Sequence, residues 1–368
     1  MIGAETVRQF ADEHREEIAQ AFDSRDDAHI ELTPAKKWPE PLDPAAFHGV
    51  AGEVVRTIEP HTEADPAAVL VQFLVSAGAM LGRNVYRIAD GAHHRASLFA
   101  VLVGETARGR KGSSFAQISR LLRLADPEFV SDRQAAGLNS GEGVTWHVRD
   151  PIERREPIRE RGRATGEYQV VEVDPGVDDK RLLVVESEFS SVLKVATREG
   201  NTLSPTIRQS WDSGDLRTLT KNSPAKATGA HIAIIGHITA AELLRHLDNT
   251  EVASGLANRF LWVCVRRSKI LPFGGNLDAS DFGRSVVRLH AAKEWGRDER
   301  ELVFSVAARD AWSRVYPDLS AGRPGLLGAV LARAEAQVLR LAILYAALEC
   351  SPTIELPHLE AGLAVWEY

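Results

Sequence analysis

At 368 residues the chain can bury a sizeable core, and its length allows one large domain or two ordinary ones. Apolar residues at 44% and charged residues at 26% are the proportions of an ordinary water-soluble protein, which excludes low-complexity and membrane-embedded classes. A formal net charge of -7 argues against coating nucleic acid through bulk charge, so any such contact has to come from a local basic patch, and composition neither proves nor excludes a DNA partner.

The first residues, "MIGAETVRQFADEHREE", lack the apolar stretch of a secretion signal, and no apolar run approaches about 18 residues, so the expectation is a cytoplasmic protein with no membrane partner. Residues from about Glu5 to Phe22 read as a charged helix followed by a Pro- and Asp-rich connector, giving a first region over 1–45. Two helices follow, "AAFHGVAGEVVRTIEP" and the apolar "DPAAVLVQFLVSAGAML", then a strand-like "NVYRIA". "SLFAVLVG" is a continuous apolar run of the kind that a parallel strand buried on both faces requires. The pattern recurs at "RLLVVESEF", "HIAIIGHIT" and "RFLWVCVRR" with helical segments between, which predicts an α/β core over 46–271. A charge-rich interruption over 149–179 reads as a solvated excursion, and helices over 272–368 read as a C-terminal lid. Cys264 and Cys350 sit in apolar surroundings without ligand spacing, so both are expected to be reduced, partly buried thiols.

"VLVGETARGRKGSS" has the ingredients of a phosphate-binding loop. Gly104 closes the strand, Thr106 lies in the turn, Gly109 and Gly112 relax the backbone, Lys111 supplies the cation, and Ser113 or Ser114 supplies a hydroxyl for a metal. The usual spacing would put lysine where Arg110 stands, so the match requires a bulge at Arg110 and Gly112; a basic surface turn is the alternative. The next apolar strand ends in Glu186 and Glu188, one acid to hold Mg²⁺ through water and one to orient an attacking water. The two share a face if the strand continues and diverge if it ends there.

His237 ends a third strand, where a polar residue senses a γ-phosphate or the lytic water. Glu142 in "LNSGEG" is a further candidate for a catalytic glutamate, with a tight turn as its alternative. Arg259, at the head of the fourth strand, suits an arginine finger acting on a neighbouring subunit, or else a surface salt bridge. "DLRTLTKNSPAKATGAH" reads as a β-hairpin carrying Arg217, Lys221 and Lys226, cations that would meet a DNA backbone in a ring's pore.

With these segments in view, "EPHTEADPAAVL", "GETARGRKGSS", "GLNSGEGV", "VVESEF", "REGNTLSPTIRQSWDSGDLRTLTKNSPAKATGAHIAIIGHIT" and "GLANRFLW" resemble a bacterial P-loop ATPase family of phages, plasmids and other mobile elements. That family is replicative-helicase-like and often accompanies primase–polymerase modules; the resemblance runs from about Phe47 to Tyr368. The order of elements is also similar to AAA+ helicases of the minichromosome maintenance type, which implies a finger at Arg259 and a sensor arginine at Arg333, with Arg340 as the alternative. The resemblance implies a P-loop core, AAA+ or RecA-like, with ATP and Mg²⁺ as cofactors. It further implies a homo-oligomeric ring, a hexamer among the options, acting on single- or double-stranded DNA with a primase–polymerase partner. The rival readings are an ATP-binding switch or scaffold that recruits replication or defence proteins without translocation, and a degenerate P-loop domain.

Overall fold

The computed structural model describes residues 38–105, 109–160, 163–217, 225–247 and 255–368. The expected helix between Glu5 and Phe22, together with Thr106 and Lys221, lies outside the described residues. Residues 41–368 form one compact unit.

Helix α1 (Gly49–Ile58) leads into α2 (Pro66–Leu81). Asp65 caps α2 by accepting from the Ala67 N–H at 3.0 Å, Pro66 takes a first-turn position that needs no donor, and Gly82 at φ 82° ends the helix. A helix apolar all round belongs in a core, and every residue of α2 after Pro66 is buried. Strands β1 (Val85–Ala89) and β2 (Ala92–Arg95) form a hairpin whose turn residues, Asp90 and Gly91, both have positive φ. The "NVYRIA" strand is therefore real, but it belongs to a small side sheet and not to the central one.

The middle of the chain runs β3 (Phe99–Val103), α3 (Lys111–Ala125), α4 (Pro127–Asp132), β4 (Gln134–Ala135) and α5 (Gly141–His147). The charge-rich interruption forms a long antiparallel ribbon, β5 (Ile152–Glu160) and β6 (Arg163–Asp174). Next come β7 (Arg181–Glu186), α6 (Phe189–Ala196), α7 (Leu203–Asp212), the short hairpin β8 (Leu216–Arg217) and β9 (Lys226–Ala227), β10 (His231–Ile238), α8 (Ala240–Leu247) and β11 (Phe260–Cys264). The C-terminal part contains α9 (Gly283–Trp295), β12 (Arg300–Glu301), β13 (Val303–Phe304), α10 (Val306–Ser320), α11 (Gly325–Leu331), α12 (Ala334–Leu348), β14 (Thr353–Ile354) and α13 (Leu356–Glu367).

The central sheet has the order β11-β3-β10-β7-β4, with every pair parallel. The protein is thus α/β, as the alternating apolar runs predict. One face, with Ala100, Leu102, Leu183, Ala233 and Ile235, packs with α1, α2 and the C-terminal helices. The other, with Phe99, Val101, Leu182, Val184 and Ile234, packs beneath α5, α6 and α7. Helices α12 and α13 share the core of α1 and α2: the Tyr345 hydroxyl donates to the Ala46 carbonyl at 2.5 Å. No helix among the described residues is long and apolar enough to cross a membrane.

Candidate functional site

Because all five strands run the same way, their C-terminal ends share one edge, the edge at which α/β proteins gather their ligand-contacting loops. The glycine-rich loop leaves β3 there. Gly104 has no room for a side chain, since a Cβ would lie 2.5 Å from the Val265 carbonyl oxygen. Lys111 folds back over Gly109, and its ammonium donates to the carbonyls of Gly104 and Glu105, both at 2.9 Å. Burial lowers the Lys111 pKa, and the Glu242 charge opposes that shift.

Arg110, one of the two positions where the irregular spacing calls for a bulge, has left-handed backbone (φ 49°, ψ 25°) and is the residue before α3. Gly112 needs no such bulge, for it lies inside the first turn of α3. The adjacent cations part company. Arg110 Nη2 pairs with Glu63 Oε2 at 2.7 Å, and the other Glu63 oxygen accepts from Arg267 and from the Leu271 N–H. These contacts, the Leu271 N–H foremost, hold the Glu63 carboxyl below its ordinary pKa. Of the paired hydroxyls, Ser113 is exposed while Ser114 is fully buried and committed elsewhere.

Ser114 Oγ donates to the Lys111 carbonyl at 2.7 Å and accepts from Gln72 Nε2 at 2.5 Å. Gln72 Nε2 also reaches the Ala68 carbonyl, which can only accept, so the amide nitrogen faces that way and Oε1 faces His237. His237 therefore donates from Nε2, at 2.9 Å, as a neutral imidazole. Burial, then the Lys111 charge, pushes its pKa down to about 4. A fully buried relay thus joins α2, the end of β10 and the first turn of α3. Sequence reading missed Gln72; its signal is a lone amide within the apolar run "VLVQFLVS".

The two acids of "VVESEF" diverge. Strand β7 ends at Glu186, and Glu188 is an exposed residue preceding α6, so they do not share a face. Glu186 is buried, and its Oε1 accepts from the N–H groups of Gly137 and Leu138 at 2.6 and 2.7 Å. Glu142, in the first turn of α5, accepts from the Thr202 hydroxyl at 2.8 Å and ties α5 to the residue before α7. A second missed residue, an acid, stands close to the loop: Thr239 and Glu242 form a capping box at the start of α8, and Glu242 also accepts from Ser190. The Thr239 hydroxyl and N–H hold the Glu242 carboxyl below its ordinary pKa. "TAAE" is the sequence signature of that box.

The arginines lie at the opposite edge of the sheet. Arg259 immediately precedes β11, and Phe260 pairs with Phe99 at the start of β3. Gly104 follows the other end of the same five-residue strand, about 15 Å away at roughly 3.3 Å per residue. Arg259 is 5% exposed and pairs with Asp212 Oδ2 at 2.7 Å; Arg333 reaches Asp212 Oδ1 at 3.4 Å. Arg340, fully enclosed, donates to the Ser97 and Trp211 carbonyls. Burial pushes its pKa down to about 9. All three guanidinium groups face the Trp211 ring, at 5.7, 5.0 and 3.6 Å from its centre. The buried Nε atoms of Arg259 and Arg340 and the Trp211 indole nitrogen have no hydrogen-bond partner among the described residues. The structure therefore does not bring Arg333 to the loop of its own chain; it joins Arg259 instead.

Arg217 and Lys226, both exposed, lie directly opposite one another on the β8–β9 hairpin. Two like charges facing across a strand pair disfavour it unless an anion intervenes. Cys264 and Cys350 are free thiols, each half-buried.

Among the described residues, His48, Glu349 and His358 bring potential metal-ligating atoms within 4.8 Å of one another. His358 Nδ1 accepts the Glu355 N–H, so the neutral ring keeps its proton on Nε2, pointed at Glu349 Oε2. With Nδ1 taken by that N–H and the proton on Nε2, His358 offers a metal no free lone pair, and the group is a hydrogen-bonded lock between α13, the end of α12 and the start of α1.

Fold and site together define an α/β protein built on a five-stranded parallel sheet with a glycine-rich loop, a buried relay and several carboxylates at one edge. No protein-family model matches the chain, and no curated protein sequence does.

Proposed function

We propose that the protein is a Mg²⁺-dependent ATPase that works as an oligomeric DNA helicase or translocase in the replication of a phage, plasmid or other mobile element. The observation that carries the reading is the meeting, at the C-terminal edge of one parallel sheet, of the Lys111 loop, the first turn of α3 with Ser113, the Gln72–His237 relay and the acid Glu186. A phosphate chain needs donors without a competing side chain, and the first turn of α3 offers them: a Cβ on Gly112 would meet none of the described residues within 4 Å.

In this reading Lys111 and the loop amides hold the phosphates, with Gly104 and Gly109 giving the backbone its close approach. Ser113 is the hydroxyl for Mg²⁺, because Ser114 is already spent in the relay. Glu186 supports the metal and Glu188 orients water, and Mg²⁺ would neutralise charge that develops on the phosphates. His237, neutral near pH 7, donates to Gln72 and reports the state of the loop to α2. Arg259, about 15 Å from its own loop, and Arg333 beside it on Asp212 would, once released from that carboxylate, serve a neighbour's nucleotide, which favours a ring. The facing cations Arg217 and Lys226 favour a phosphate backbone as their partner. The likeness to mobile-element P-loop ATPases supports a primase–polymerase partner.

A second reading has its own support. Lys111 is engaged by loop carbonyls and Glu186 by two backbone N–H groups, an arrangement that suits a nucleotide-responsive switch or scaffold without translocation. ATP hydrolysis with Mg²⁺, measured with and without single-stranded DNA for the wild type, Lys111→Ala and Arg259→Ala, separates them. DNA-stimulated turnover lost in both variants supports the motor. Slow turnover indifferent to DNA supports the switch, and a wild type that neither binds nor hydrolyses ATP removes both.

A further inference from the structure

The β5–β6 ribbon is an unusual object on this surface. Among the described residues it is a two-stranded sheet without a third strand, and such a ribbon is marginal in water unless something packs on it. Its base is firmly held: Arg149 makes a bidentate pair with Asp174, both contacts at 2.8 Å, and stacks 3.9 Å from the Trp146 ring centre. Lys180 pairs with Asp150 at 3.0 Å beside it. Farther out no such bidentate pair is seen among the described residues, yet the ribbon carries Tyr168 and Val170 at 67 and 60% exposure, with Val173 at 51% nearer the base.

The two edges of the ribbon differ. β5 is protected by Pro157, which has no N–H, and by dense charge in "IERREPIRE". β6 contains "EYQVVEV", with neither proline nor lysine, and reads as an edge strand prepared for pairing. Between Ile152 and Asp174 five arginines stand against six acidic residues, so the ribbon as a whole is not a polyanion-binding arm.

We propose that β6 pairs antiparallel with β6 of a second copy of this chain, about a two-fold axis at Gln169. The pattern of β6 selects that register. Centred on Gln169, it sets Tyr168 opposite Val170 of the other copy twice over, an aromatic on a β-branched residue, with Gln169 facing itself. Glu172 then faces Gly166 and Glu167 faces Val171, so no carboxylate meets another. A slip by one residue would bring Glu167 against Glu172 and turn apolar side chains to the wrong face. A two-fold contact closes on a pair, so it joins two copies or two assemblies and does not itself close a ring.

The test uses the full chain and needs no nucleotide. Gln169→Cys under mild oxidation should give a covalent dimer that the wild type does not, whereas Glu167→Cys should not, its counterpart lying about 13 Å along the strands. Val170→Lys, an exposed change on a ribbon pinned at its base, should halve the mass seen by sedimentation with unaltered far-UV dichroism. An unchanged mass for Val170→Lys together with no cross-link at Gln169 would overturn the pairing. So would loss of single-stranded DNA binding in Tyr168→Ala at unchanged mass, which would make the ribbon a nucleic-acid surface.

Discussion

The carboxamide of Gln72 stands between His237 and Ser114, accepting from the imidazole at 2.9 Å and donating to the hydroxyl at 2.5 Å. All three groups are buried, and removing the middle one leaves the imidazole without its partner and takes one hydrogen bond from Ser114, which keeps the Lys111 carbonyl. Gln72→Leu should therefore cost about 1–3 kcal/mol of stability, the penalty for one buried donor left without a partner and one hydrogen bond lost. Urea denaturation of the variant beside the wild type measures it, and a loss below about 1 kcal/mol would mean that the relay is not formed.

His237 and His231 make the stability depend on pH. Burial lowers the folded pKa of His237 to about 4 and that of His231, whose Nε2 donates to the Gly78 carbonyl at 2.8 Å, to about 3. The unfolded rings titrate near 6.5. Above that value neither state binds the proton; below it the unfolded chain takes up protons that the folded chain refuses. Stability is thus fully present above pH 6.5 and lost as pH falls toward 4, each ring contributing up to about 1.4 kcal/mol per pH unit. Denaturation at pH 7, 6 and 5 should give this slope, and His231→Gln, which keeps a donor for Gly78, should reduce it.

Gly104 and Gly112 should respond oppositely to alanine. At Gly104 the new Cβ meets the Val265 carbonyl oxygen at 2.5 Å, so the end of β3 has to shift from β11, costing about 1–3 kcal/mol. At Gly112 the Cβ enters open space within a helix, where alanine gains up to about 1 kcal/mol over glycine. If phosphates lie over that turn, Gly112→Ala will melt higher and yet bind ATP at least tenfold more weakly. Thermal melts with nucleotide titration read both effects, and undiminished ATP affinity would move the phosphates away from Gly112.

The central strands were legible in the sequence because a strand buried on both faces leaves an unbroken apolar run, as at "FAVLV" and "HIAIIGHI". The loop's ingredients were legible too, but not the backbone solution at Arg110, since a left-handed arginine has no local signature and depends on Glu63, far back in the chain. Whether Glu186 and Glu188 shared a face turned on where one strand ended. That end coincides with the Gly137 and Leu138 amides, contacts about fifty positions away in sequence. The gathering of Arg259, Arg333 and Arg340 on Trp211 is wholly non-local, and only the parallel strand register puts it at the edge away from the loop.

That separation of Lys111 from Arg259 within one chain yields the sharpest test of a shared site. Lys111→Ala lacks the loop cation but keeps its arginines; Arg259→Ala keeps the loop but lacks an arginine. Each alone should be inactive as an ATPase, because every interface in its assembly misses one partner. Mixed in equal amounts and allowed to exchange, the two variants form some interfaces with an intact loop from one copy and an intact arginine from the next. Random mixing gives about a quarter of interfaces of that kind, so turnover should recover to roughly that fraction of wild type. Arg259 also neutralises Asp212, so near-UV dichroism of Arg259→Ala should first establish that the region around Trp211 is intact. Recovery on mixing requires the two residues to act across a boundary between copies. No recovery from two folded, co-assembling variants would confine catalysis to single chains and leave Arg259 a structural partner of Asp212.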